Sequence, residues 1–435
     1  MASRLAISAV AILGTFLASG CAESNRAEAT ASGNGNGDAP KVKVTVIEPG
    51  PSAQKLAQEA LIKAEPGEII EFAEGKFDFN TTLSLEDVER VTLRGKGINK
   101  TILNFKSQQQ GTGGEGIKVG GSDDFTLEDM TIQDTRSDGF KPEGITGVTM
   151  RRVKVEWTRG PHPENGAYGF YPVLSKDVLI EDCEVYSCSD AGIYVGQSEN
   201  VIVRRCRAER NVAGIEIENT VGADVYDNVA TNNAGGILVF SLPELPKKNG
   251  RSCRVYNNRV YENNHENFAK PGNIVASVPP GSGIIIMAND EVEVFNNEIK
   301  NNQSANVTVI SYLATDRKYN DPEYDPYPET IYIHDNKFEG GGDKPAGEIA
   351  TLLAPLLGKE FPDILYDGMV DPKKLVDGQL PANLKLYIRN NGDADFANVN
   401  LAAIRAAGLP VVTRELGPHD GEHPSPPAIV IEGVE

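Results

Sequence analysis

The 435-residue chain carries 62 acidic against 42 basic residues, a formal net charge of -20. That field repels phosphate backbones and excludes nucleic acid as a partner. It does not exclude an acidic polymer, which would need local Lys and Arg or bridging Ca²⁺ to approach.

Residues 1–20 hold one basic residue, Arg4, then an apolar run from Leu5 to Leu17 and a small-residue end. This pattern predicts a secretory signal, too short to span a bilayer. Leu17-Ala18-Ser19-Gly20-Cys21 resembles a bacterial lipoprotein box, which implies lipidation of Cys21, and Ala22 after it resembles the outer-membrane sorting pattern. The expected location is the periplasm or the cell surface, held to the membrane by lipid alone. Residues 21–40, rich in Ala, Ser, Gly and Asn, have too little apolar surface to fold and read as a flexible tether.

From residue 41 onward one elongated domain is expected. Ser52 to Glu65 places Leu56, Ala57, Ala60, Leu61 and Ala64 at helical spacing between Pro51 and Pro66-Gly67, a short helix expected to cap an open sheet end. Beyond it a phrase recurs at strand period: DGFKPE from Asp138, YGFYPV from Tyr168, AGIYVG from Ala191, AGIEIE from Ala213 and GGILVF from Gly235. A second column precedes these phrases, running Met130, Val153, Cys183, Cys206, Asn228, Asn258, Asn297 and Asn336. Its steps are 23, 30, 23, 22, 30, 39 and 39 residues. A floor of 22 with additions above it is the signature of one solenoid coil with loops inserted at its corners. The prediction is an all-β fold: a right-handed, single-stranded parallel β-helix over 41–340, with short helical caps.

Side chains alternate along a strand, so stacked coils align two outward columns. One is Lys141, Tyr171, Tyr194, Glu216 and Leu238. The other is Glu143, Val173, Gly196, Glu218 and Phe240. At about 4.8 Å per coil, Lys141 to Glu216 spans about 14 Å, the length of a few sugar units. Cys183 and Cys206 fall one coil apart in a column that continues as asparagine, which predicts reduced stacked thiols giving way to an Asn ladder.

Long insertions at 159–166 and 265–281 fall at one corner, and 241–252 and 313–329 at the opposite one. They would wall a groove floored by Tyr194, Glu216, Glu218 and Phe240. The first insertion would bring Arg159, His162, Glu164 and Asn165 toward Tyr168 and Tyr171. Such a groove has the parts for proton abstraction α to a uronate carboxylate: Lys141, Arg159 or His162 as charge or base, Tyr171 or Tyr194 as proton donor, and Glu216, Glu218 and Asp190 as a Ca²⁺ site. A hydrolase would instead pair Glu216 with Glu218. Each residue also has a structural reading: solvated glutamates on a strand, tyrosines covering a sheet, and Asp138 and Asp190 as turn formers before Gly.

Beyond Phe338 the coils fade. Gly347 to Lys359 has Ile349, Leu352, Leu353, Leu356 and Leu357 at helical spacing, with Pro355 inside, and is expected to form a second cap within 341–435. Leu384 to Arg389 and Phe396 to Leu401 read as a last coil, and Ala428 to Ile431 as a final strand.

The phrases EGIKV, SDGFK, ENGAYGFYPV, SDAGIYVGQS, NVAGIEIENT, NNAGGILVF and LPELP resemble a bacterial family of parallel β-helix repeat-containing proteins. The resemblance is close from Ala53 to Leu313. It implies the fold of the wider pectate-lyase-like superfamily and an exported, often lipid-anchored chain, with no established reaction. Two functions follow as expectations: lyase or epimerase action on an extracellular or envelope polysaccharide, or non-catalytic binding of a glycan or an envelope protein.

Overall fold

The structure is a computed structural model that describes residues 42–407 and 411–434; Cys21, the signal and the tether lie outside them. The chain winds as a parallel β-helix with three strand-bearing faces. In the compact coils the front-face strand, for example Ala191–Gly196, is followed by Glu199–Arg204 on a second face and Arg207–Glu209 on a third. Seven front strands, from Ala191–Gly196 to Phe396–Asn398, form one parallel sheet. Three earlier ones, from Leu83–Glu86 to Phe140–Glu143, form another. Bridges Phe140 to Phe170 and Phe170 to Ile193 join the two through the coil at Tyr168–Val173.

Residue pairing follows the repeat. Lys118 pairs with Lys141, Tyr194 with Glu216, Glu216 with Leu238, and Gly196 with Glu218, so both outward columns stand in the expected register. Inward residues such as Ile193, Val195, Ile215, Ile217, Ile237 and Val239 are buried in the continuous core. Apolar burial of this kind is the main favourable term in the fold.

The corners are pinned by amides. Asn228, Asn258, Asn297, Asn336 and Asn391 form a ladder in which each Oδ1 accepts from the backbone N–H and the Nδ2 of the residue one coil earlier. A second ladder, unanticipated, runs Asn211, Asn233, Asn263, Asn302. The four described cysteines are free and buried; Cys183 Sγ donates to the Glu181 carbonyl and Cys206 Sγ to the Arg204 carbonyl.

Gly166 shows how closely a corner packs. A Cβ there would lie 1.6 Å from the Ser137 carbonyl oxygen and 2.4 Å from Cζ2 of Trp157. Gly166→Ala is therefore expected to cost about 3 kcal/mol, because backbone must move to admit the methyl. A denaturation midpoint unchanged from wild type would refute that.

The N-terminal helical segment packs its expected stripe of Ala57, Ala60, Leu61 and Ala64 on the core, and the C-terminal end departs from the expectation. The N-terminal helix, Ala53–Ile62, buries Ala53, Ala57 and Leu61, whereas Leu56 is exposed. The second helix, Gly347–Leu357, does not close the far end. Its Ala350, Leu353 and Leu357 pack with Phe361 on Leu365, Ala397 and Val399, covering the outer side of the last front-face strands. Pro355 sits in its final turns, and its missing N–H removes the helical bond to the Thr351 carbonyl. The far end is closed by His419, whose ring lies 4.8 Å from Phe396 and 5.9 Å from Tyr366 and whose Nδ1 bonds the Leu386 carbonyl.

The segment after it forms no final strand. Extended by Pro424, Pro426 and Pro427, it runs back over the second face: His423 against Tyr387, Ser425 Oγ to Glu293, Ile429 N–H to Asp224, and Ile431 beside Leu179 and Ile202. Along the same face the rings of Tyr226, Tyr256, Phe295 and His334 stack 4.8, 4.9 and 5.3 Å apart, nearly parallel.

Candidate functional site

The outward front-face residues are not the floor of an open groove. Tyr194, Glu216, Glu218, Leu238 and Phe240 are all buried. The insertions at 265–281 and 311–329 fold down onto the face instead of standing beside it. Val275, Val278, Tyr312 and Tyr324 pack with Leu238, Phe240, Ile285 and Met287 in a second apolar core, with Phe268 and Ile274 at its margin. The reason is compositional: from Leu238 onward both outward columns are largely apolar, so the face gains by being covered.

The cover is tied down by specific bonds. Asn273 Nδ2 donates to Asp190 Oδ2 at 3.2 Å, and Arg317 donates to the carbonyls of Gly272 and Asn273, joining the two loops. Tyr324 Oη donates to the Ser241 carbonyl at 2.6 Å.

At the N-terminal edge of this cover, polar chemistry gathers. The rings of Tyr168, Tyr171 and Tyr194 pack against one another with centroids 4.5 to 5.0 Å apart. Tyr194 Oη donates to Glu218 Oε1 at 2.5 Å. Lys141 Nζ lies 5.0 Å from the Tyr171 ring centre and 3.5 Å from a Glu143 oxygen. Glu216 accepts no hydrogen bond from any described residue although it is 2% exposed.

Burial raises Asp138, Asp190, Glu216 and Glu218. The Asp138 carboxyl is pushed up to about 6 by burial and by Glu115, and Asp190 to about 8 by burial and Glu218. Glu218 rises to about 7 through burial, opposed by the Tyr194 hydroxyl. Glu216 rises well above the carboxylate range through burial and the charges of Glu218 and Asp190. Burial and the nearby carboxylates likewise raise Tyr171 to about 12 and hold Tyr168 and Tyr194 higher, so all three keep their protons at neutral pH. The result is a set of neutral or half-titrated acids beside phenols, able to give or take a proton near pH 7.

This has a sign for stability. In the unfolded chain these carboxyls ionise near pH 4, whereas in the fold Asp138, Glu218 and Asp190 hold protons to about 6, 7 and 8. Their favourable contribution is complete below pH ~4 and is lost as pH rises through the folded values. Acids lowered by ion pairs, such as Glu181 and Glu71, act in the opposite sense only below pH ~4.5. The melting temperature is therefore expected to fall from pH 5 to pH 8.5, and to fall less steeply in Asp190→Asn. A flat or rising profile would contradict the assignment.

The structure brings together Tyr168, Tyr171, Tyr194, Asp190, Glu216, Glu218 and Lys141, with Phe240 in the apolar part of the same face. It leaves three candidates apart. Arg159 and His162 are exposed on their loop, where Arg159 bonds Asn165 Oδ1 and His162 Nδ1 accepts from the Glu164 N–H. Asn165 is buried and bonds the carbonyls of Gly160 and Ser187, a bracket for the corner rather than a surface ligand. Among the described residues Asp190, Glu216 and Glu218 do not converge as a metal-ligand set. Sequence reasoning gave Asp138 only a minor place and missed Asn273, whose loop has no period to align it.

Residues 95–244 match the family model described as right-handed beta helix region. Among solved structures, the A-module of the mannuronan C-5 epimerase AlgE4 from Azotobacter vinelandii is 16% identical, with a TM-score of 0.52 over 79% of this chain and 91% of that one. An alginate lyase from Paenibacillus is also 16% identical, with a TM-score of 0.45 over 69% of this chain and 98% of that one. Among curated proteins, the pre-neck appendage protein of Bacillus phage B103 is 25% identical over 210 residues, 40% of this chain. The match spans about a quarter of that relative's length, 24%. These identities establish fold and not activity. The chain is a right-handed parallel β-helix protein.

Proposed function

We propose that this chain acts on an extracellular or envelope polysaccharide, and that its chemistry is proton transfer at a uronic acid, as in a lyase or C5-epimerase. The observation that carries the reading is the packed Tyr168–Tyr171–Tyr194 cluster against carboxyls raised to about 6, 7 and 8. Glu218 has the affinity to take the C5 proton near neutral pH. Tyr194, already donating to it, lies on the same side as this base and can give its proton to the leaving oxygen of an elimination. Lys141, at the open edge, is the nearby cation for the uronate. A carboxyl held protonated can hydrogen-bond a substrate carboxylate that an ionised one would repel. The mannuronan C-5 epimerase named above acts on such a polymer by its name, which is consistent with the proposal.

Access to Glu216 and Glu218 then requires the covering loops to move, since both acids are buried. The burial itself favours a second reading, a non-catalytic scaffold that uses the covered face for rigidity and binds a glycan or protein elsewhere. The phage appendage relative fits that reading as well as any enzyme.

The proposal extends to location: export by residues 1–20 and lipid attachment at Cys21, facing the periplasm or the cell exterior. Fractionation tests it, with Cys21→Ser expected to move the protein from the membrane to the soluble exported fraction. The activity test is a panel of polyuronates and neutral glycans with and without Ca²⁺, following unsaturated products, reducing ends and solvent-deuterium uptake at C5. Deuterium uptake or unsaturated product supports the reading. Binding without turnover favours the scaffold.

A further inference from the structure

Away from the tyrosine cluster, the second covering loop is fastened to the solenoid by a charged knot. Asp290 stands at the corner between the front strand Ser282–Met287 and the second-face strand Asp290–Phe295. Asp325 and Glu329 close the loop that carries Tyr312, Tyr319 and Tyr324. One oxygen from each of the three carboxyls lies within 4.8 Å of the others.

Their partners are few. Lys374 Nζ reaches Asp325 Oδ2 at 2.7 Å and Glu329 Oε2 at 2.6 Å. Asp290 Oδ1 accepts from the Glu329 N–H, and Asp325 Oδ1 from the Tyr327 N–H. Among the described residues Glu329 Oε1 has no partner, on a side chain only 6% exposed. With all three carboxyls ionised, one ammonium leaves two negative charges uncompensated in a largely buried place. Such charge is retained only against a cation or by taking up a proton.

We propose that Asp290, Asp325 and Glu329 form a binding site for one Ca²⁺ ion, with the unpartnered Glu329 oxygen as a ligand. The set is all oxygen, with no His or Cys, which disfavours zinc and the softer metals. Two of its members sit on a loop that can adjust to six or more ligands, which suits Ca²⁺ better than the small, rigid octahedron of Mg²⁺. Lys374 shares two of the acids and so competes with the ion. The bound ion staples residues 311–329 to the body of the helix and fixes the cover of the front face. This inference stands apart from the polysaccharide reading, because the site is separate and its readout is binding.

Titration calorimetry of the chelator-treated protein with CaCl₂ and MgCl₂ tests it, together with melting temperatures. The expected result is one Ca²⁺ per chain, with a Kd on the order of 10⁻⁴ M as in extracellular sites, weaker Mg²⁺ binding and a higher melting temperature in Ca²⁺. Asp290→Asn should weaken Ca²⁺ at least tenfold. Lys374→Met should lose stability without metal, regain it in Ca²⁺ and bind the ion more tightly, because the competing ammonium is gone. The proposal is overturned if Ca²⁺ at millimolar concentration gives neither heat nor a melting shift. It is equally overturned if Asp290→Asn and Glu329→Gln bind as wild type, or if Ca²⁺ fails to restore Lys374→Met.

Discussion

Tyr194→Phe is expected to lower kcat on a polyuronate substrate by at least about 100-fold while leaving KM within a few-fold, if the hydroxyl is a proton donor in the reaction. The ring, packed between Tyr168 and Tyr171, keeps its place in the variant; only the bond to Glu218 is lost. That loss frees Glu218 from the one hydrogen bond that lowers its pKa, so the acid limb of the pH profile should move upward. Glu218→Gln should abolish the limb altogether. A tyrosine that serves only as packing would give a different pattern: activity retained per folded molecule, with a modest change in melting temperature. Steady-state kinetics across pH therefore separates the two roles in one experiment.

Asn258→Ala is expected to be the most damaging single change to the fold, about 4 kcal/mol. Asn258 sits inside the ladder, where Oδ1 accepts from both the N–H and the side chain of Asn228, and Nδ2 donates to the Val225 carbonyl and to Asn297. Removing the amide strands at least two buried polar groups, at about 1–3 kcal/mol each. Water cannot replace it cheaply, because Asn258 is fully buried. The same substitution at Asn391, the last rung, should cost less, since only the preceding coil depends on it. Equal denaturation midpoints for the two variants would contradict a ladder that works rung by rung.

The fold was legible because two periods coincide in the sequence. Alternation within each phrase fixes which residues face inward, and the floor of 22 residues fixes which residues align. Together these determine the pairing of Tyr194 with Glu216 and of Glu216 with Leu238. The second Asn ladder was equally readable: Asn211, Asn233, Asn263 and Asn302 each follow a member of the first column by five residues. Burial of the outward face had a signal too, since GGILVF and SGIIIM are nearly continuous apolar runs, and a strand wet on one side alternates. The covering loops had none. Phe268, Ile274 and Val275 follow no strand or helix period, and their partners are set by tertiary contact alone. For that reason Asp190 was nameable as a candidate, while its bond to Asn273, 83 residues away, was not.

The extended C-terminal segment changes how the molecule should come apart under load. In a plain solenoid each coil holds only its neighbours, so a pull on the last coil peels the stack one turn at a time at nearly constant low force. Here the segment from His423 to Ile431 runs back across the stack and is fastened at Tyr387, Glu293, Asp224 and the Leu179–Ile202 pair. Tension applied at the C-terminus reaches the middle of the rod first and must strip this strap before the far end can unwind. The rod behaves as a bundle that is tied lengthwise, by a segment that crosses the coils it holds.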